Sequence, residues 1–182
     1  MNERSAGKKS RRNLETRLRR IKAIFFDVDG VLTDGKIYLG QSEDMKAYST
    51  KDGFGILVAV AAGLGVFLVT GRSSAGVTRR ARGLGVKAFQ NVEDKLACVR
   101  SVCKKTGLEL DEVAFVGDDL NDLSVMKEVG VSVAVANAVD EIKAIASLTI
   151  SRNGGEGAAR EVIERVMRSQ GKWCETVREF LS

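Results

Sequence analysis

Three short apolar runs, each ending on an acid or a hydroxyl next to glycine, confine this chain to one kind of architecture. Ile24 to Phe26 lead into Asp27-Val28-Asp29-Gly30, Val66 to Val69 into Thr70-Gly71, and Val113 to Val116 into Gly117-Asp118-Asp119. Runs of this length, rich in β-branched and aromatic residues and lacking polar alternation, read as strands buried on both faces. Helical patterns lie between them. One runs from about Asp52 to Ala62. A second is capped by Ser73 or Ser74, with Val77, Ala81 and Leu84 on one face, and a third starts at Asp94-Lys95. A short strand is expected near Val86 to Phe89, a helix over Leu120 to Val129, strands over Val131 to Val135 and Leu148 to Ile150 with a helix at Val139 to Ala146 between them, and a last helix over Glu156 to Arg168. Gly35 to Gly40 and Met45 to Ser49 read as a small β-hairpin insertion. Such alternation implies an α/β fold, a doubly wound, Rossmann-like parallel sheet with helices on both faces and right-handed crossovers. About forty positions separate Asp29 from the second strand, and hairpin and helix fill them, leaving no room for a cap domain.

Composition narrows the function. With 182 residues, 44% hydrophobic and 29% charged, the chain can bury one core. The formal charge of +5 is uneven: residues 1–22 carry +7 and the rest −2. The basic segment therefore reads as a tail, residues 1–20, disordered at first and helical from about Leu14. It is followed by a domain over 21–170 and a C-terminal tail over 171–182. The basic segment lacks the apolar run of a secretory signal, and no stretch approaches the ~20 apolar residues of a membrane span. A solvated tail is favoured over a nucleic-acid contact. Cys98, Cys103 and Cys174 show no metal spacing and fit a reduced, cytoplasmic compartment. The chain has no histidine, so zinc sites and Cys-His pairs drop out, and acid/base work near neutral pH falls to carboxylates, Lys, Tyr or metal-bound water.

Parallel strands place their carboxyl ends on one edge, where α/β ligands bind, so Asp27, Asp29, Thr70, Asp118 and Asp119 converge, with Lys95 at a helix start nearby. Crowded carboxylates repel unless a divalent cation neutralises them, and an all-oxygen set suits Mg²⁺. The lysine adds a second positive charge, and Thr70 Oγ and the Gly71 N–H can donate to phosphate oxygens. Each piece alone has an ordinary explanation, as a turn, a solvated helix residue or an N-cap pair. Their joint order is specific.

The series D-x-D, T-G, K, G-D-D-x-x-D, running from Ile24 through Asp122, resembles the four motifs of the haloacid dehalogenase superfamily. The resemblance implies Asp27 as nucleophile, Asp29 as general acid/base, and Thr70 and Lys95 as further catalytic groups. It implies metal ligation by Asp27, Asp29 through its backbone carbonyl, and Asp118, with Asp122 and Asp119 behind them orienting waters or Lys95. The second aspartate, Asp29, points to a phosphatase. A signalling receiver domain uses similar parts, but there the lysine follows the acids, whereas Lys95 precedes the second cluster. A non-catalytic interaction protein is the other alternative.

Further segments, Met45 to Gly53, Thr70 to Ser73, Gly117 to Asp122 and Gly154 to Glu161, are similar to the 3-deoxy-D-manno-octulosonate 8-phosphate phosphatases, over nearly all of 22–171. The resemblance implies a small phosphorylated sugar acid substrate, a role in lipopolysaccharide biosynthesis, and a homotetramer whose hairpins form a central barrel. It places Asp29, Lys51, Asp52, Gly71, Arg72, Arg80 and Lys95 against the substrate, with cations to meet its carboxylate. The chain departs from that family at Lys51, where many members have Arg, and at Leu57, where many have a basic residue, which keeps a nine-carbon, sialic-type 9-phosphate in view. The segment from Gly171, with Trp173, Val177, Phe180 and Leu181, is too apolar for an idle tail. It either packs on its own subunit or, by the resemblance, reaches a neighbour's site.

Overall fold

A computed structural model describes residues 13–40 and 45–182. The chain starts with helix α1 over 13–20, then runs β1 Ala23–Asp27, α2 Thr50–Ala61, β2 Gly65–Val69, α3 Ala75–Leu84, β3 Lys87–Phe89 and α4 Lys95–Thr106. It continues β4 Val113–Gly117, α5 Leu123–Met126, β5 Val131–Ala134, α6 Asp140–Ile145, β6 Leu148–Thr149, α7 Ala158–Ser169 and α8 Trp173–Leu181. The six strands are parallel, in the order β3-β2-β1-β4-β5-β6. Every residue of β1 and β4 is buried, as helices covering both faces require. From β1 the chain winds outward to β3, then returns to β4 on the other side of β1. That reversal opens a crevice at the carboxyl ends of β1 and β4, the place where such sheets bind ligands.

Without proline, the helices are bounded by small polar residues and glycine. Ser49 accepts from Asp52 N to start α2, Ser74 from Gly76 N to start α3, and Asp94 from Ala97 N to start α4. Gly85 and Gly107 close α3 and α4 in the left-handed region.

Three expectations change, and the C-terminal segment takes one of its two alternatives. The hairpin is reduced to a single antiparallel bridge, Tyr38 to Met45, with residues 41–44 of its turn outside the described residues. The helix expected over Leu120 to Val129 is a 3₁₀ turn, Leu120–Asp122, and then the one-turn α5. Its start must follow the acidic loop, and Asp122 is buried rather than solvated. The basic segment is helical from its thirteenth residue, as expected from about Leu14, but α1 is not a loose tail: it buries Leu18 against the core and sends Arg17 Nε to Gly130 O at 2.6 Å. The first twelve residues lie outside the described part. At the other end, α8 packs on its own subunit: Trp173 is buried, Phe180 meets Phe54 edge-on at 5.3 Å, and the Arg160 guanidinium lies 4.5 Å over the Trp173 ring. Leu57 is half-buried against the core.

Candidate active site

Asp27 is the last residue of β1, and the turn after it is fixed from within. The Thr33 hydroxyl, fully buried, donates to Val28 O and accepts from Gly30 N, both at 3.3 Å, while Leu32 N donates to Val28 O. Gly30 has φ +91°, and a Cβ there would collide with the Asp118 carboxylate, so glycine is required by conformation and by space. The loop before α7 closes the other side: Gly155 N donates to Val31 O at 3.0 Å, and a Cβ on Gly154 would meet Gly30 O. A loop about 120 positions away in sequence thus shapes the first turn.

Lys95 is 1% exposed, although it opens α4. Its Nζ lies 2.8 Å from Asp27 Oδ1 and 2.6 Å from Asp122 Oδ1. The other oxygen of Asp122 accepts from Asp118 N at 3.1 Å. Asp122 is therefore occupied on both sides and serves to orient Lys95 and the Asp118 backbone. Carboxylate oxygens of Asp27, Asp118 and Asp122 approach within 4.8 Å of one another. Burial, then the charge of Asp122, pushes Asp27 up to about 7 despite Lys95. Burial, then Asp27 and Asp122, pushes Asp118 to about 8. Asp122 is raised by burial, and the two aspartates keep Lys95 protonated against desolvation. Three carboxylates and one ammonium carry −2 when ionised. A buried Asp118 Oδ1 has no partner. Crowding, excess charge and an unpartnered hard oxygen fit a divalent cation held by Asp27 and Asp118.

The other expected residues divide. Thr70, 2% exposed, directly follows β2 with its Oγ1 accepting from Arg72 N at 3.2 Å, and Gly71 and Arg72 come after it, exposed on the same edge. Asp119 is exposed and accepts from Leu120 N at 2.7 Å, capping the 3₁₀ turn, while its charge adds to that felt by Asp118. Arg80 reaches Ser49 O at 3.1 Å and lies 5.5 Å over the Tyr48 ring. Lys51 faces a different groove, with Arg152 and Glu156 beside α7. Asp52 is a correction. It is 2% exposed, and its two oxygens accept Arg160 N at 2.8 Å and Gly157 N at 3.3 Å, so it caps the start of α7 instead of facing a ligand.

Two residues the sequence reading passed over stand at the site. Lys46 is ion-paired with Asp29 Oδ1, and its side chain is 6% exposed. Tyr48 has a buried hydroxyl without a partner, pushed up to about 12 by burial and then by the Asp29 charge. Their signal was the alternation Lys46, Tyr48 in an extended segment, which turns both side chains to one face.

Fold and site together define the class, a haloacid dehalogenase-like hydrolase, and the profile of that family matches residues 87–162. The 3-deoxy-D-manno-octulosonate 8-phosphate phosphatase of Salmonella typhi is 40% identical over 162 residues, 88% of this chain and 86% of that protein. The structure of the Moraxella catarrhalis 3-deoxy-D-manno-octulosonate 8-phosphate phosphatase, in complex with magnesium, phosphate and KDO, superposes with a TM-score of 0.88. It is 35% identical, and the match covers 92% of this chain and 97% of that one. A cobalt-bound deoxy-D-mannose-octulosonate 8-phosphate phosphatase from Haemophilus influenzae gives a TM-score of 0.86 at 33% identity, covering 91% and 99%. The chain belongs to the family of 3-deoxy-D-manno-octulosonate 8-phosphate phosphatases.

Proposed function

We propose that this protein hydrolyses the phosphomonoester of 3-deoxy-D-manno-octulosonate 8-phosphate, with Mg²⁺, through an aspartyl phosphate on Asp27. The observation that carries the reading is the pairing of Asp27 with the buried Lys95 beside Asp118, two positions before a second aspartate whose Oδ2 is buried and unpartnered. Asp27 and Asp118, with the Asp29 carbonyl, would hold the ion, which supplies positive charge to the crowded oxygens when bound. Lys95 holds one oxygen of Asp27, leaving the other to attack phosphorus. The Thr70 hydroxyl and Gly71 N–H donate to the phosphoryl oxygens. As the Asp27–phosphorus bond forms and the ester bond breaks, Asp29 passes a proton to the leaving alcohol oxygen. It then takes a proton from the water that attacks phosphorus, and the bond to Asp27 breaks.

Arg72 and Arg80 are the cations we assign to the substrate carboxylate; Lys51, in the separate groove beside α7, is left out of that assignment. An open crevice needs closure from outside. The exposed apolar side chains of the hairpin, Leu39 at 83% and Met45 at 64% with Ile37 and Tyr38, support a homotetramer assembled there. Among the described residues no helix is long and apolar enough to cross a membrane, which fits the cytoplasmic location we assign.

The test is phosphate release from a panel: octulosonate 8-phosphate, a nine-carbon sialic-type 9-phosphate and an aryl phosphate, each with Mg²⁺ and with EDTA. We expect the octulosonate ester to give the highest kcat/KM and EDTA to abolish turnover. A higher value for the nine-carbon ester would overturn the substrate assignment, and turnover unaffected by EDTA the metal assignment.

A further inference from the structure

An ammonium withdrawn from water demands a counter-charge, and Lys46 finds it in Asp29. The pair joins two remote pieces of backbone: the turn after β1 and the strand-like segment leaving the Tyr38–Met45 bridge. Lys46 lines a cavity of about 470 Å³ with Met45, Tyr48, Gly76, Arg79 and Arg80. The ion pair engages Asp29 Oδ1, whereas Oδ2 is buried and has no partner. The two oxygens of one carboxyl are thereby made unequal.

We propose that Lys46 is a positioning residue for this hydrolysis, which holds the Asp29 carboxyl by Oδ1 so that Oδ2 is the atom that gives and receives the proton. The proposal rests on the reading of Asp29 as general acid/base. A general acid acts only within hydrogen-bond reach of the leaving oxygen. Asp29 follows β1 on a turn beside the cation-binding acids, where an untethered carboxyl would be drawn toward any bound ion. Lys46 pulls it the other way. The phosphoryl group already has Lys95 as its ammonium, and Lys46 is committed to Asp29. The first half-reaction starts with Asp29 protonated on Oδ2 and Lys46 donating a hydrogen bond to its Oδ1: Asp27 bonds to phosphorus, the ester bond breaks with its electron pair left on the alcohol oxygen, and the proton on Oδ2 moves to that oxygen. In the second, water attacks phosphorus, its proton goes to Oδ2, and the bond to Asp27 breaks.

The leaving group distinguishes this role from a structural one. An alkoxide cannot leave without a proton, whereas a nitrophenolate can. Lys46→Met and Lys46→Arg are therefore made in the wild-type and Asp29→Asn backgrounds, and kcat and KM are measured for the sugar acid phosphate and a nitrophenyl phosphate. The ratio of the two kcat/KM values within one preparation does not depend on how much of the variant is folded. Lys46→Met is expected to lower that ratio about a hundredfold, through kcat and not KM. Lys46→Arg should restore most of it, and in Asp29→Asn the Lys46→Met change should leave the ratio within about twofold. An unchanged ratio in Lys46→Met, or a further loss of the ratio on top of Asp29→Asn, overturns the proposal. If Asp29→Asn alone spares the sugar ester, the general-acid reading itself has failed, and the proposal with it.

Discussion

Lys95 Nζ lies 2.8 Å from Asp27 Oδ1, across 68 positions of sequence, and both side chains are withdrawn from water. In the proposed mechanism the contact leaves the other oxygen of Asp27 to attack. Asp27→Asn should lower kcat by more than a hundredfold, at least about 2.7 kcal/mol of transition-state stabilisation. The fold should survive, because removing one of three crowded carboxylates relieves repulsion. Phosphate release and thermal melting check both halves, and residual activity above about one per cent would displace Asp27 as nucleophile.

Metal-free stability should fall as pH rises. Asp27 holds its proton in the folded protein up to about 7 and Asp118 up to about 8, against an ordinary 3.8. Between these limits the folded state binds more protons than the unfolded chain, so each step up in pH favours unfolding. Mg²⁺ relieves the same repulsion without protons. The rise in melting temperature on adding Mg²⁺ should therefore grow between about pH 5 and pH 8, and a shift independent of pH would contradict this charge arrangement.

Asp52 separates a structural role from a binding one. Asp52→Ala removes acceptors from two N–H groups at the start of α7 and should cost about 1–2 kcal/mol, as a lost helix cap does. Denaturant unfolding measures that cost. KM for the sugar acid phosphate should stay within about twofold; a tenfold rise at unchanged stability would return Asp52 to the substrate.

Trp173 anchors α8. It is 5% exposed and carries Arg160 at 4.5 Å and Arg168 at 5.7 Å over its ring. Trp173→Ala should cost about 3–5 kcal/mol, read as a lower denaturant midpoint. A variant of undiminished stability would favour a segment that serves a neighbouring subunit.

In the proposed tetramer the hairpin carries the assembly. Leu39→Asp places a charge on a side chain that is 83% exposed in one subunit, so it should leave monomer stability unchanged and shift the mass in light scattering from tetramer to smaller species. A wild-type monomer at micromolar concentration would remove the tetramer altogether.

Local pattern determined the sheet and the edge on which its acids stand. Apolar runs such as Ile24 to Phe26 can be satisfied only by burial on both faces, and parallel strands carry Asp27, Thr70 and Asp118 to the same end. Tertiary structure decided the partners of each carboxylate. Asp52 and Asp122 are both aspartates near glycines in the sequence, yet one caps α7 and the other holds Lys95, because a carboxylate's role depends on the donors that distant segments bring to it. For Lys46 the alternation with Tyr48 marks a shared face, but its partner, Asp29, is decided only when the turn after β1 folds against it. The bounds of α5 also escaped local reading, and the packing of α8 was left open between two alternatives. In both, burial of particular residues, Asp122 and Trp173, overrides a periodicity that fits a longer helix or a loose end equally well.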